Sequence, residues 1–250
     1  MKKPPLPITF LLLFGTSIFL VQHPVRAQDK IIKVDGTTQD AKILSVSGAS
    51  VQVQVGTGMI GVPLASISQV IMAPPADLAT AVAAYEAKDY ARALPPVKSI
   101  AEKYRGLPTD WAKQAASLLG DIYVAQNDLP KAEAAYQDFL RAYPGKGSLQ
   151  TDVGLARVAF SKKDYAAARQ KLDPIKTQAM AFKSVSPEVA AVYSKAFYLL
   201  GQVEEAQGDL PASLQDYLRT VTWFYNDRSS VAAAQERADS LRKEHNIAVP

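Results

Sequence analysis

The spacing of apolar residues changes twice along the chain. Ile8 to Val21 is a continuous apolar stretch broken only by Thr9, Gly15, Thr16 and Ser17. From Lys30 to Met72 apolar and polar residues alternate with a period of two, the pattern of strands with one buried face. Beyond Pro75 the period lengthens to that of an amphipathic helix, alanine becomes abundant and tyrosines recur.

The alternating segment predicts five short strands, at 31–34, 41–46, 50–55, 59–64 and 69–72. Asp35-Gly36, Gly48 and Gly56-Thr57-Gly58 supply the turns, and Ala65 to Ser68 reads as one helical turn before the last strand. So many short strands with tight turns predict a small, strongly bent five-stranded β barrel over residues 28–73. The order of these elements resembles SH3-like and Sm-like barrels. No Phe, Trp or Tyr occurs between Gln28 and Pro75. The module therefore lacks the aromatic groove that grips proline-rich peptides and the rings that stack on bases. Asp29, Asp35 and Asp40 balance Lys30, Lys33 and Lys42, which leaves no basic patch. A folding cap or spacer is the expected role, with an exposed edge strand as the remaining means of binding.

Pro74-Pro75 marks the start of the helical region, 74–250, with Asp77 as the expected cap of its first helix. Within this region the chain resembles itself. The thirteen residues from Leu118 to Pro130 align with Leu199 to Pro211, eight of them identical, and Tyr136 then matches Tyr217. Lys88-Asp89-Tyr90 and Lys163-Asp164-Tyr165 repeat the same turn, which makes Ala93, Ala132, Ala168 and Ser213 equivalent. These residues resemble a tetratricopeptide repeat. Leu119 and Gly120 fill the leucine–glycine positions of the first helix, and Tyr123 its aromatic position. Ala132, Tyr136 and Pro144 fill the small, aromatic and closing positions of the second. The resemblance implies a mainly α solenoid of four helical hairpins following the β barrel. The equivalent positions lie 39, 36 and 45 residues apart, beyond the usual period of about 34. Pro95-Pro96 and Pro174 are expected to interrupt their helices, and 176–186 to be an insertion. A last helix from about Asp227 to Glu244, capped by Asp227 or Ser229, is expected to cover the open end.

In such arrays the first helix of each hairpin lines the concave wall. The repeat phase then places Val82, Tyr85, Gln114, Ser117, Asp121, Val153, Arg157, Phe160, Lys195, Tyr198 and Gln202 there. Tyr85, Gln114, Asp121, Arg157, Phe160, Lys195, Tyr198 and Gln202 are the candidate partner-binding residues, in a groove suited to a peptide or helix. Packing between hairpins is the competing role for the tyrosines. The lysine–asparagine set that some tetratricopeptide domains use for a peptide carboxylate is not reproduced. Glu204 and Glu205 point about 100° apart on a helix and are expected to be surface charges. No glycine-rich phosphate loop opens a helix.

The N-terminus changes the charge argument. Lys2 and Lys3, the apolar stretch, and Val25 and Ala27 as a small-residue cleavage site have the layout of a secretory signal peptide at 1–27, with an uncleaved membrane anchor as the alternative. Its removal takes Lys2, Lys3 and Arg26 with no acid, so the formal +4 falls to +1. A near-neutral surface argues against nucleic-acid binding by counterion release. The chain has no cysteine, and without His23 its one remaining histidine is His245. Disulfides, a lipid-bearing cysteine, zinc sites and Cys–His or Ser–His–Asp catalysis lose their raw material. The expectation is an exported, periplasmic or secreted, non-enzymatic adaptor without cofactor or metal. Its expected partner is a protein or peptide, with no membrane span after cleavage and with homo-oligomerisation open. The alternative is a cell-wall or surface-binding protein that uses the β module, with the repeats as a spacer.

Overall fold

The computed structural model describes residues 29–145, 149–182 and 184–245; the expected signal peptide lies outside the described residues. Strands β1 (Lys30–Lys33), β2 (Thr38–Asp40) and β6 (Ile67–Ile71) form one antiparallel sheet in the order β2-β1-β6. Strands β3 (Lys42–Ser47), β4 (Ser50–Val55) and β5 (Gly58–Pro63) form a second, in the order β3-β4-β5. A single 3₁₀ turn, Leu64–Ser66, links β5 to β6. The expected closed barrel of five strands is thus two three-stranded sheets. The predicted strand 41–46 is preceded by a separate strand, and the break falls at Ala41, which is fully buried. The Ala41 N–H donates to the Asp29 carbonyl at 3.0 Å, and the Ile43 N–H donates to Asp29 Oδ2 at 2.9 Å. Asp29 fixes this corner, where the chain leaves one sheet for the other.

The strand alternation works as the sequence suggested. Val51, Val53 and Val62 are buried on one face of the second sheet, and Ile31 and Val70 on one face of the first. Both faces share a core with Leu78, Ile100, Tyr104 and Leu107 of the helical region. The Trp111 indole N–H donates to the Met72 carbonyl at 3.1 Å across the same junction. The change at residue 74 is one of secondary structure, and the core runs through it.

Among the described residues nine helices follow. They pair as α1 (Ala76–Glu86) with α2 (Tyr90–Lys103), α3 (Asp110–Ala125) with α4 (Leu129–Ala142), α5 (Leu149–Ser161) with α6 (Tyr165–Ala181), and α7 (Pro187–Ala206) with α8 (Leu210–Thr222). The unpaired α9 (Arg228–His245) packs on α8 through Leu214, Tyr217, Ala234, Ala238 and Leu241. All four hairpin turns are built alike. Lys88, Asn127, Lys163 and Gly208 take the left-handed conformation, with φ of 62°, 59°, 61° and 83°. The next residue is always aspartate. Its side chain caps the second helix by accepting from the backbone of Arg92, Lys131, Ala167 or Ala212. Its own N–H returns to a carbonyl of the first helix (Ala84, Tyr123, Ala159 or Glu204) at 2.8–2.9 Å. Both ends of the turn are satisfied at once. Four residues on, Ala93, Ala132, Ala168 and Ser213 are fully buried, as their equivalence required.

Several expectations need correction. Pro75 holds the N-cap position of α1, with its carbonyl accepting from Leu78, so Asp77 sits inside the first turn and caps nothing. Pro95 and Pro96 lie within a continuous α2, and Pro174 within a continuous α6. Each forfeits a backbone bond, but Ala93, Val97 and Ile100 on α2, and Leu172 and Ile175 on α6, anchor the flanking turns in the core. Much of the expected insertion at 176–186 is the last turns of α6, which runs to Ala181; α7 then opens at Pro187, capped by Ser186. The final helix begins as foreseen, with Asp227 Oδ1 accepting from the Ser230 N–H at 2.9 Å.

The joint between the second and third hairpins is a single ring. Tyr136 has no exposed surface. A Cβ built on Gly120 of α3 would meet it at 2.4 Å, and one on Gly154 of α5 at 2.3 Å. Gly201 stands in the same relation to Tyr217, at 2.6 Å. Gly154→Ala is expected to lower the unfolding free energy by about 1–3 kcal/mol, the usual cost of overpacking, as measured by urea titration. Gly61→Ala, whose added carbon meets nothing closer than 3.5 Å, should leave the midpoint nearly unchanged.

Candidate functional site

Helices α1, α3, α5 and α7 stand side by side and form the inner wall of the array. The ribbon curls tightly enough for Tyr85 on α1 and Lys195 on α7 to line one pocket, together with Asp121, Gln150, Val153, Gly154, Arg157 and Val192. Four of the eight candidate residues therefore converge. The space among them is about 10 Å³, room for one water rather than a side chain. Asp121 accepts the Tyr136 hydroxyl at 2.6 Å on one oxygen and the Gln150 amide at 3.1 Å on the other. Burial, then the charge of Asp121, pushes the Tyr85 hydroxyl pKa far up, while the Arg157 cation pulls it the other way. Tyr85 stays protonated and can donate a hydrogen bond. Lys195 Nζ lies 3.7 Å from Asp227 Oδ2 at the start of α9.

Toward the C-terminal end the wall opens into a cleft of about 320 Å³. Phe160, Gln202, Glu205, Ala206, Tyr217 and Arg237 line it. Two more candidates, Phe160 and Gln202, belong here. Tyr198 lies beside it, with its hydroxyl accepting from Gln202 Nε2 at 3.2 Å and its ring 5.8 Å from that of Tyr217. Gln114 is exposed and lines neither space. Sequence reasoning missed the cleft's polar floor. The Tyr217 hydroxyl donates to Glu205 Oε2 at 2.7 Å, and Arg237 holds both oxygens of that carboxylate. The repeat alignment carried a signal for it. Tyr136 uses the acid at Asp121, whose counterpart is Gln202, so Tyr217 must find its acceptor elsewhere on α7.

Glu204 corrects a second expectation. It is 1% exposed and is not a surface charge. In the alignment it stands opposite Tyr123, which fills space between hairpins, and the same inward direction buries the glutamate. Lys176 of α6 lies 3.7 Å from Glu204 Oε1 and 2.6 Å from Asp216 Oδ2; Arg169 is 3.8 Å from Glu204, and Arg219 pairs with Asp216. Among the described residues Glu204 Oε2 has no hydrogen-bond partner. Burial, then the neighbouring Asp216 charge, pushes the Glu204 carboxyl up to about 7. Both acids are packed between helices and paired with cations.

A helical-hairpin array with a continuous inner wall is the class of protein defined by this geometry. Residues 117–179 match the tetratricopeptide repeat family, from the middle of α3 through α4 and α5 to near the end of α6. No curated protein and no solved structure matches the chain. Among the described residues no helix is long and apolar enough to cross a membrane, and no group of three or more His, Cys, Asp or Glu is placed to hold a metal ion.

The Glu204 shift has a defined sign. A carboxyl whose folded pKa is raised contributes stability that is complete below its unfolded value, near 4.5, and is lost as pH rises through about 7. Thermal melts should therefore show the chain losing stability between about pH 5 and pH 8. Glu204→Gln should flatten that slope.

Proposed function

We infer that the chain is a non-enzymatic adaptor that binds an extended or helical protein segment along its concave wall. One observation carries the reading. The first helices of all four hairpins supply Tyr85, Asp121, Arg157 and Lys195 to one pocket, and Phe160 and Gln202 of α5 and α7 line a second cleft of about 320 Å³. Matching of residues 117–179 to the tetratricopeptide repeat supports a protein partner. The filled pocket at Asp121 sets the groove floor, so a segment lies over it and anchors in the Phe160–Gln202 cleft. The cleft offers an aromatic edge, an amide and a Glu205–Arg237 pair. These suit a partner side chain with an apolar body and a polar tip. Export to the periplasm or beyond rests on the N-terminal sequence, and work in envelope assembly fits a scaffold with that address.

Photo-crosslinking tests this. A crosslinker at Gln202 should capture a defined partner from the native envelope, and one at the exposed Lys98 of α2 should not. Phe160→Glu combined with Gln202→Arg should weaken binding of that partner by about thirtyfold, the scale of a lost anchor, with the helical circular dichroism retained. Equal capture from both positions would overturn the groove assignment.

A further inference from the structure

The β region carries a second surface that the groove does not use. Strand β5 is the free edge of its sheet, and its sequence, Gly58–Pro63, holds no charge. Val55, Met59 and Ile60 at this hairpin are 42%, 68% and 47% exposed. The other edges are blunted in ways known to block pairing. Strand β2 has three residues and ends in Asp40, which faces Lys30. Strand β3 begins with Lys42, is bulged between Ile43 and Ser45, and touches α2. Strand β6 pairs with β1 through a register shift at Ile32/Lys33.

The register of β5 decides what can join it. Its two-residue turn, Gly56-Thr57, with Gly56 at φ 60°, makes Val55↔Gly58 a hydrogen-bonded pair. Pairs then alternate, so Ile60 and Val62 point their backbone groups at β4, while Met59 and Gly61 point theirs outward. No hydrogen bond engages those outward groups among the described residues. The free donors, on Met59 and Gly61, thus lie two residues apart and symmetric about Ile60, while Pro63 at the strand's end faces outward with a carbonyl and no donor.

The geometry points to a second copy of this chain as the occupant of the edge, with β5 pairing antiparallel to β5 of its partner about a two-fold axis at Ile60. Met59 and Gly61 of one copy then exchange backbone bonds with Gly61 and Met59 of the other. The two Ile60 side chains meet across the axis as the close, non-hydrogen-bonded pair. The absence of charge over 55–63 means that no like charges face each other, and Gly61, without a side chain, leaves room beside Met59 of the other copy. The two three-stranded sheets become one of six strands, and both hairpins bury Ile60. A six-residue strand spans only about 20 Å, and its contact falls short of the roughly 800 Å² per partner of a tight complex. The association is therefore weak and concentration-dependent.

The chain has no cysteine, so single cysteines report this register directly. Across the axis two Cα atoms lie about 4.5 Å apart at a non-hydrogen-bonded pair, within disulfide range. Positions 59 and 59 of the two copies lie beyond it. Mild oxidation of purified full-length Ile60→Cys should give a covalent dimer at least tenfold faster than Met59→Cys or Val34→Cys. Sedimentation of the wild type up to about 500 µM should show a monomer–dimer equilibrium. Ile60→Lys and Gly61→Pro should abolish it with unchanged circular dichroism. A wild type that remains monomeric overturns the inference. So do equal crosslinking rates at all three positions, faster crosslinking at Met59→Cys, or a dimer that survives both substitutions.

Discussion

A tyrosine ring held between two glycines sets the spacing of the second and third hairpins. Tyr136 belongs to α4, yet Gly120 of α3 and Gly154 of α5 both press on it within the radius of a methyl group. The ring fills the gap between one hairpin and the next, and the glycines let the two first helices stand close on either side. Interior packing of this density leaves no room for an added methylene. The ring is also oriented. Its hydroxyl donates to Asp121, and the other oxygen of Asp121 takes Gln150, which lies on α5. One tyrosine thus ties three helices by contact, and its acid ties two of them by hydrogen bonds. At the fourth hairpin Tyr217 and Gly201 repeat the contact, but the hydroxyl turns to Glu205 and through it to Arg237 on α9.

The inner wall follows from these joints. Because the hydroxyl of each joint ends at the wall, its acceptor is drawn from the same residues that face the groove. At the second hairpin Asp121 is consumed and the wall closes around it. At the fourth hairpin the acid has moved one turn along α7, and the wall opens there into the Phe160–Gln202 cleft. The tyrosine's acceptor thus stands at a different place in the closed part of the groove and in the open part.

Much of this could be read from the sequence. The four turns were legible because each needs an aspartate at one place and a small residue four positions later, and those demands leave the same letters in every copy. Of the residues assigned to the concave phase, Tyr85, Asp121, Arg157 and Lys195 share one pocket, and Gln114 lies outside it. The curl of the ribbon, which brings Tyr85 opposite Lys195, was not legible. It depends on the sum of small rotations at each joint, and no residue pattern records that sum. The corner at Ala41 was hidden for a related reason. Alternation continues through it, and the bend is made by Asp29, twelve residues earlier in the chain. Prolines misled in the opposite direction, since their local cost is real but smaller than the burial on either side of them.

The charged cluster at the last joint shows why a repeat protein would keep an awkward buried group. Tyr123 fills its place with carbon and accepts any apolar neighbour of the right size. Glu204 fills the corresponding place and fits only opposite Lys176 and Arg169, both on α6. Removing either partner strands a buried carboxylate, which costs far more than the pair contributes over an apolar filling. The buried face of α4 is Ala132, Tyr136 and Phe139 and that of α6 is Ala168, Leu172, Ile175 and Ala179, so the two differ in shape before charge is considered. The buried carboxylate and its cations on α6 therefore add an electrostatic condition to the apolar one, since a neighbour without a cation at this place would leave the charge unpaired.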